Sequence, residues 1–502
     1  MLLDWLLAPP VPQAVPRQRL IYRRLREAIL SGRLAPGTCL PASRKLAASL
    51  GIARNTVLFA YEQLLAEGCL RADRQGTCVA LLPARHDSPP SKGRALAMPQ
   101  RLSVRATAAL QPEPPRESAA LPFAPGTPDY GDFPFRSWRA CLDRAWRDAG
   151  SRQLGYAAHG GDPGLREAVA GHLTTVRGLG VDATQIVITS GTQSALDLCT
   201  RLLADESDTI WTENPGYLAA RVVCGLAGLR VHDVPVDSEG MSPNEEDWRA
   251  HPPRLIMITP SHQYPTGHVM SLPRRLSLIE RARQSGAWII EDDYDSEFRR
   301  AGPAPPALFG LQADAPVVYV GTFSKTLYPG LRLGYLVLPR AIAADFARAA
   351  SQATRAGQGI EQRALADFMQ RGHYTAHLRR MRARYAARQS VLRAALRKEF
   401  GPHIELSGGE AGLHLVLWLP GHISDVAVAA RATELGLGAR ALGSYARAPM
   451  ICNGLVLGYG NLDEGMVSEA VRRLASAVRS QDSGPCEARQ RIRQDAARRI
   501  PP

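Results

Sequence analysis

A lysine and an arginine seven positions apart form a pair that could do chemistry. Lys325 lies in a turn of small residues after an apolar run at 317–320, which predicts a short buried strand, and Arg332 follows. A lysine amine held beside hydroxyl groups suits imine formation with an aldehyde, and an arginine suits a phosphate. Pyridoxal 5'-phosphate carries both groups, so the pair predicts this cofactor. One alternative is an ordinary surface lysine in a loop. A nucleotide P-loop is excluded, because Lys325 follows Ser324 and not a glycine.

The elements that would position this pair begin near residue 121. From there short apolar runs alternate with helical stretches, which predicts an α/β fold with a mainly parallel sheet. The candidate strands are residues 185–189, 209–211, 255–258, 287–290 and 317–320. Ligands of such sheets collect at the carboxyl ends of the strands. We therefore expect the functional residues at these ends.

Two further motifs lie at predicted strand ends. Gly191, Thr192 and Gln193 open a helix after the first strand, where free N–H groups and the helix dipole suit a phosphate. Asp292 and Tyr294 follow the fourth strand. A carboxylate there could keep a pyridine nitrogen protonated, and the tyrosine could bond the phenolate oxygen of the ring. Taken singly, these motifs also fit a helix cap and acids that leave the sheet for solvent.

Together the motifs resemble those of fold-type I aminotransferases, in the same order, over roughly residues 121–478. The resemblance implies the fold of pyridoxal phosphate-dependent transferases, with a smaller α+β C-terminal subdomain. It also implies that Lys325 forms the Schiff base with the cofactor and that Asp292 pairs with the pyridinium. The other implied cofactor contacts are Gly191, Thr192, Gln193, Tyr217, Tyr294, Ser324, Arg332 and Tyr156. In these dimers a tyrosine at the position of Tyr156 reaches the phosphate of the neighbouring subunit.

Two departures from the aminotransferase pattern concern the substrate. Tyr264 stands where these enzymes carry the asparagine of an NPTG turn, and Val456 stands where they carry an arginine for the substrate carboxylate. Without that arginine an α-amino acid would bind more weakly and with a less defined orientation. Arg221 and Arg447 are candidates to replace it.

The N-terminal residues 17–82 predict a second domain. Two short helical stretches separated by a turn at Gly51, followed by a hairpin at 69–80, are typical of a winged helix-turn-helix. Residues 29–64 resemble the GntR family of that fold. The resemblance implies a DNA-binding surface made of Arg44, Arg54, Asn55, Thr56, Gly76 and Thr77. Helix capping and surface charge are the alternatives for Arg44 and Thr56, and a winged helix used only for protein contact is the alternative for the domain.

Charge supports a nucleic-acid partner for this segment. The net charge is +14, and residues 1–120 hold 17 Lys and Arg against eight Asp and Glu. A basic segment of this kind favours a polyanion such as double-stranded DNA. Eight scattered cysteines without a CxxC pair predict no metal site, no disulfide framework and a reducing compartment. The N-terminus does not resemble a signal peptide, and no apolar run predicts a membrane span, so we expect a cytoplasmic protein.

Composition also divides the chain. Prolines punctuate residues 83–120, which predicts a flexible linker, and the Arg- and Gln-rich residues 481–502 predict a disordered tail. Residues 121–480 are then the cofactor-binding effector domain.

A GntR-type domain joined to an aminotransferase-like domain resembles the MocR/GabR family of bacterial regulators. The resemblance implies a head-to-tail homodimer that binds operator DNA, is associated with the nucleoid when bound, and senses an amine, an amino acid or pyridoxal phosphate itself. An active aminotransferase with an accessory DNA-binding module is the main alternative. A scaffold in which both sites are vestigial is another.

Overall fold

The computed structural model describes residue 6 and residues 16–73, 76–81, 102–110, 121–151, 155, 159–300, 302, 305–354, 357–447 and 452–482. These residues form two compact units, divided between Gln100 and Arg101. Each unit has its own architecture and is described separately.

The first unit is a winged helix-turn-helix, as predicted. Its elements are α1 (Arg17–Leu30), α2 (Ser43–Leu50), α3 (Arg54–Ala66), β1 (Leu70–Asp73) and β2 (Gly76–Val79). Gly51 ends α2 with a φ of 62°, a left-handed conformation that suits glycine and allows the tight turn into α3. The strands pair antiparallel as the wing, and Asp73 lies opposite Gly76. Apolar side chains of the three helices, among them Leu25 and Leu64, pack into a buried core.

A disulfide joins Cys39 to Cys78, so the expectation of no disulfide framework is wrong at this pair. The two residues form an isolated β-bridge between the segment that precedes α2 and the second strand of the wing. The N–H of Leu40 donates to the carbonyl of Thr77 beside it. Only the folding of the wing brings the two cysteines together, so their spacing in the sequence does not reveal the pair.

The second unit contains the larger number of elements. Its helices are α4 (Val104–Ala109), α5 (Phe135–Arg147), α6 (Pro163–Arg177), α7 (Thr192–Leu203), α8 (Leu218–Leu226), α9 (Glu245–Ala250), α10 (Leu272–Ser285), α11 (Leu308–Leu311), α12 (Arg340–Thr354), α13 (Gly359–Gln370), α14 (His373–Phe400), α15 (Asp425–Glu434) and α16 (Val467–Asp482). Its strands are β3 (Ile186–Thr189), β4 (Thr209–Asn214), β5 (Arg230–Asp237), β6 (Gly240–Met241), β7 (Leu255–Ile258), β8 (Trp288–Asp293), β9 (Val317–Thr322), β10 (Gly334–Val337), β11 (Leu406–Ser407), β12 (His414–Trp418), β13 (Arg440–Ala441) and β14 (Gly454–Gly458).

Eight strands form a mainly parallel sheet in the order β3-β10-β9-β8-β7-β4-β5-β6, which confirms the predicted α/β fold. Strands β4, β5, β7, β8 and β9 run parallel, whereas β10 is antiparallel to both of its neighbours. Every residue of β3, β7 and β9 is buried. Helices cover both faces of the sheet, and continuous apolar runs therefore form these strands.

A smaller antiparallel sheet of four strands, β11-β12-β14-β13, packs with α15 and α16, which confirms the predicted α+β subdomain. A strap of residues 121–127 runs along it. The N–H of Gly438 donates to the carbonyl of Pro122 at 2.7 Å, and that of Gly458 donates to the carbonyl of Phe123 at 2.9 Å. Phe123 has a φ of 69°, uncommon for a residue with a side chain, and its ring is completely buried. The strap therefore joins the small sheet by both backbone and side chain.

Parts of the predicted linker and tail have regular structure. Residues 104–109, within the predicted linker, form the short helix α4, and Ser103 caps it by accepting from the N–H of Ala106. This helix packs on α8, and Arg105 pairs with Glu206. Helix α16 continues to Asp482 into the predicted tail. The remaining linker and tail residues, 83–101, 111–120 and 483–502, lie outside the described residues. Within the described chain, no helix combines the length and apolar character needed to cross a bilayer.

Candidate functional site

A cavity of about 290 Å³ lies at the carboxyl ends of the parallel strands. Strands β4, β8 and β9 each deliver residues to it from the turn that follows the strand, as the strand-end argument predicts. The lining includes eight of the sequence-predicted residues, namely Thr192, Gln193, Tyr217, Asp292, Tyr294, Ser324, Lys325 and Arg332. Gly191 lies directly beside this group. Tyr156, the remaining predicted contact, lies outside the described residues.

Lys325 enters the cavity from the turn after β9. The N–H of Ser324 donates to Thr322 Oγ1 at 3.2 Å, and the hydroxyl of Thr322 donates to Ser324 Oγ at 3.1 Å, so the turn is tied back to its strand. The Lys325 amine donates to the carbonyl of Gly126 at 2.9 Å. A Cβ atom on Gly126 would lie 3.0 Å from Lys325 Nζ, so glycine leaves room for the lysine. The amine is thus held by backbone in a walled cavity, where it can meet an aldehyde.

Arg332 and the start of α7 form one end of the cavity. Gly191 precedes α7 with a φ of 87°, and a Cβ there would lie 3.5 Å from the Arg332 guanidinium carbon. Arg332 itself has a left-handed φ of 51°, and it lines the cavity. Unsatisfied N–H groups, the helix dipole and a guanidinium together favour a dianionic phosphate. Ser324 adds a hydroxyl to the same cavity.

Asp292 is the penultimate residue of β8 and lies on the cavity wall. Its Oδ1 atom is buried and accepts no hydrogen bond from any residue in the described part of the chain. Burial, followed by the neighbouring Asp293 carboxylate, raises the pKa of Asp292 to about 8, and Lys325 opposes this effect. A protonated pyridine nitrogen would supply both the missing donor and the opposite charge. The observed carboxylate therefore fits the cofactor that the sequence predicts.

Tyr294 belongs to a buried network that the sequence did not reveal. Its hydroxyl donates to the carbonyl of His262 at 2.9 Å, and His262 Nδ1 lies 3.0 Å from Asp295 Oδ2. His414 lies against His262 and bonds the carbonyl of Pro265 at 3.0 Å through Nε2. Burial, and then the neighbouring His262, lowers the pKa of His414 well below its usual range. The network ties the turn after β7 to the end of β8 and to β12 of the small sheet.

Tyrosine side chains form the wall opposite the phosphate end. Gln193 Nε2 donates to the Tyr217 hydroxyl at 3.0 Å, so Gln193 positions the aromatic residue predicted to stack on the cofactor ring. Tyr217 and Tyr264 meet edge to face, with ring centroids 6.0 Å apart. The hydroxyls of Tyr264 and Tyr445 lie 3.0 Å apart. Tyr264, which replaces the asparagine of the enzymes, thus joins the two sheets at the cavity rim.

Two arginines were candidates to replace the one that binds the substrate carboxylate in aminotransferases. Both lie outside the described cavity lining. Arg221 forms an ion pair with Asp233 and donates to Thr212 Oγ1 at 3.0 Å, so the suggestion that it serves the cavity is not supported. The backbone of Arg447 bonds the side chain of Asn214. Neither residue is among the described cavity lining, whereas Arg440 is. Sequence reasoning missed Arg440, because only strand pairing brings it to this wall.

The predicted DNA contacts lie on the first unit. Arg44 is in the first turn of α2, and Arg54, Asn55 and Thr56 form the first turn of α3. Arg44, Arg54 and Asn55 are exposed, and Thr56 is half-buried. Arg54 Nε lies 3.5 Å from Ser43 Oγ, so the starts of the two helices are adjacent. Gly76 and Thr77 begin the second strand of the wing. The arrangement places the predicted contacts at two helix starts and on the wing, where they remain a predicted interface.

Comparison with protein families gives two matches. Residues 17–79 match the bacterial regulatory proteins of the gntR family, and residues 121–435 match aminotransferase class I and II.

Similar proteins match across both regions. The chain is 38% identical over 475 residues to a probable rhizopine catabolism regulatory protein, MocR, of Rhizobium meliloti. The aligned region covers 93% of this chain and 95% of that protein. The chain is 32% identical over 472 residues to the pyridoxine biosynthesis transcriptional regulator PdxR of Corynebacterium glutamicum, with 94% and 98% covered. Among solved structures, α-aminoadipate aminotransferase LysN of Thermus thermophilus, complexed with N-(5'-phosphopyridoxyl)-L-leucine, has a TM-score of 0.67. It is 28% identical, covering 75% of this chain and 97% of that chain.

Proposed function

The chain belongs to the MocR/GabR family, which joins a GntR-type DNA-binding domain to an aminotransferase-like domain, and from this premise we propose that it is a pyridoxal 5'-phosphate-dependent transcriptional regulator. The observation that carries the proposal is the cavity, where Lys325, Asp292 and Arg332 meet on a chain that also carries a winged helix-turn-helix. The protein binds double-stranded operator DNA through the first unit and works in the bacterial cytoplasm, at the nucleoid when bound.

The cofactor is held by residues at three places in the cavity. Lys325 would bond its aldehyde carbon and Asp292 would pair with the ring nitrogen. Arg332, with Gly191 and the start of α7, would hold the phosphate. Tyr217 would stack on the ring and Tyr294 would face its phenolate oxygen. Bound pyridoxal phosphate supplies an electrophilic carbon to which amino compounds attach. The orphaned Asp292 oxygen and the helix start beside Arg332 support this assignment.

The domain acts as a sensor in this proposal. A small amine, an amino acid or pyridoxal phosphate itself binds one arrangement of the protein better than another and shifts the population of DNA-binding states. We propose a head-to-tail homodimer, in which Tyr156 completes the cofactor site of the neighbouring subunit. The domain boundaries proposed are 17–82 for DNA binding, 83–120 for the linker and 121–480 for the sensor.

An active aminotransferase is the second candidate, because Lys325, Asp292 and Arg332 line one cavity. Val456 argues against efficient turnover, since it removes the arginine that orients an α-amino acid substrate. The two candidates differ in a simple measurement: multiple turnovers of an amino donor with a keto-acid acceptor would support the enzyme.

The experiment that tests the regulator uses the full-length protein with bound pyridoxal phosphate. Genomic fragments of its host that the protein retains are sequenced, and the affinity for an enriched fragment is measured by fluorescence anisotropy against a scrambled fragment of the same length. We expect a preference for the enriched fragment of at least about 10³-fold at physiological salt. We also expect that preference, or the affinity, to change when the cofactor is removed. Equal affinity for both fragments would contradict the proposed function.

A further inference from the structure

Four charged residues are present in the described lining of the cavity, and three of them have cofactor roles in the proposed function. Asp292 faces the ring nitrogen, Lys325 the aldehyde and Arg332 the phosphate, which leaves the fourth, Arg440, without a cofactor role. We propose that Arg440 binds the carboxylate of an amino-acid effector whose amino group would replace Lys325 on the aldehyde carbon of the cofactor. One carbon–nitrogen bond would form as the bond to Lys325 breaks, and the lysine would leave as a free amine. The inference rests on the proposed function and names the chemical class that the sensor recognises.

Strand pairing places Arg440 next to Val456, which stands where aminotransferases carry the arginine that binds the substrate carboxylate. Strands β13 and β14 pair antiparallel, and Arg440 lies directly opposite Val456 in their register. Residues opposite one another across an antiparallel pair project from the same face of the sheet, with Cβ atoms about 5 Å apart. Arg440 therefore brings a guanidinium to the same face of the small sheet as Val456, from the adjacent strand.

That face of the small sheet meets the cavity. Val456 is completely buried in an apolar cluster that includes Leu442 and Tyr445, and Tyr264 packs against the cluster. Tyr264 and Tyr445 also line the cavity, and so does Arg440. Val456 is an uncharged residue packed behind this wall of the cavity. Arg440 places a positive charge on the surface of the wall.

The chemistry of Arg440 selects an acid group over other partners. A guanidinium binds a carboxylate through two parallel hydrogen bonds, and such charge-assisted bonds are stronger than neutral ones. Arg440 is half-buried, which strengthens the ion pair relative to one in bulk water. A ligand that places its amino group near Lys325 and its carboxylate on Arg440 is anchored at two points. A plain amine is anchored at one, so the cavity should distinguish amino acids from amines.

The test compares amino acids with the amines that lack only the carboxylate. L-alanine and β-alanine are each compared with ethylamine, and 5-aminopentanoate is compared with butylamine, which together vary the distance between the two groups. Each probe is titrated into the full-length holoprotein, and the visible absorption of the lysine-bound cofactor is followed. We expect at least one amino acid to reach half-saturation at a concentration 10-fold or more below that of its amine. Arg440→Gln should abolish this difference and leave the amine titration unchanged.

Two further variants keep the result interpretable. Arg440→Lys retains the charge without the bidentate geometry and should keep part of the preference, and it replaces Arg440→Gln if the latter does not hold cofactor. Arg431→Gln removes an exposed arginine of α15 that pairs with Glu434 and should behave as wild type. An amino-acid preference that survives in Arg440→Gln, or wild type that never prefers an amino acid to its amine, would overturn the proposal. A holoprotein that lacks the cofactor band altogether would instead contradict the proposed function.

Discussion

Among single residues, Asp292 contributes a dependence on pH to the stability of the cofactor-free protein. Its pKa is raised to about 8 in the folded protein, mainly by burial, whereas an aspartate in an unfolded chain titrates near about 4. The folded state therefore keeps a proton that the unfolded state releases between these two values. The stability from this group is present below about pH 4 and is lost as the pH rises through about 8.

We expect the free energy of unfolding of cofactor-free protein to fall between pH 5 and pH 8, with Asp292 contributing a slope of at most about 1.4 kcal/mol per pH unit. Asp292→Asn cannot ionise and should remove this share of the slope in urea denaturation at a series of pH values. Asp314→Asn, at an exposed position, serves as the control and should keep the full slope. Equal slopes in Asp292→Asn and wild type would show that Asp292 is not the buried acid described.

In the proposed function, the covalent attachment of the cofactor depends on Lys325. Lys325→Ala removes the amine that faces Gly126 and should abolish the visible absorption of lysine-bound pyridoxal phosphate. Lys398→Ala, an exposed lysine near the end of α14, provides a matched control and should leave the band unchanged. Reduction with borohydride followed by peptide mass analysis identifies the modified lysine. A band that persists in Lys325→Ala would place the cofactor on another group.

At the scale of secondary-structure elements, the first turn of α3 is predicted to recognise the base sequence of the DNA. Arg54 and Asn55 are exposed there, and the start of a recognition helix is where side chains reach bases. Arg54→Ala should weaken binding to the enriched DNA fragment by ~1–3 kcal/mol and reduce its preference over scrambled DNA. Arg19→Ala removes one exposed positive charge from α1 and should change both affinities alike. If Arg54→Ala keeps the full preference, another element reads the sequence.

Most elements around the cavity can be predicted from the sequence, because the carboxyl ends of parallel strands lie at one edge of the sheet. Five candidate strands appear as β3, β4, β7, β8 and β9, and the motifs that follow them meet at one edge. Pairings between distant segments were not predictable from local patterns. Arg440 reaches the cavity only through the register of β13 with β14, and Cys39 meets Cys78 only when the wing folds. The helix α4 was missed because a short alanine-rich segment beside prolines has no apolar period.

For the whole molecule, the separate hydrophobic cores of the two units predict two unfolding events. The first unit has its own core of three helices and the wing, and the second has cores on both faces of the large sheet. Calorimetry of the full chain should therefore resolve two transitions. Added pyridoxal phosphate should raise the midpoint of one, and the enriched DNA fragment that of the other, because each ligand binds one folded unit. A single transition that both ligands shift would mean that the chain unfolds as one cooperative body.

The strap of residues 121–127 has a consequence for how occupancy of the cavity is transmitted. Its Gly126 carbonyl accepts from the Lys325 amine, while Pro122 and Phe123 accept from amides of the small sheet. When Lys325 turns from Gly126 to the cofactor, the strap loses a tether at one end and keeps those at the other. If release of Lys325 loosens the strap, deuterium uptake at the Gly438 and Gly458 amides should be faster in the holoprotein than in the cofactor-free wild type, where Lys325 still donates to Gly126. Exchange mass spectrometry on the small sheet would then report whether Lys325 faces the strap or the cofactor. Equal uptake in the two forms would contradict this coupling.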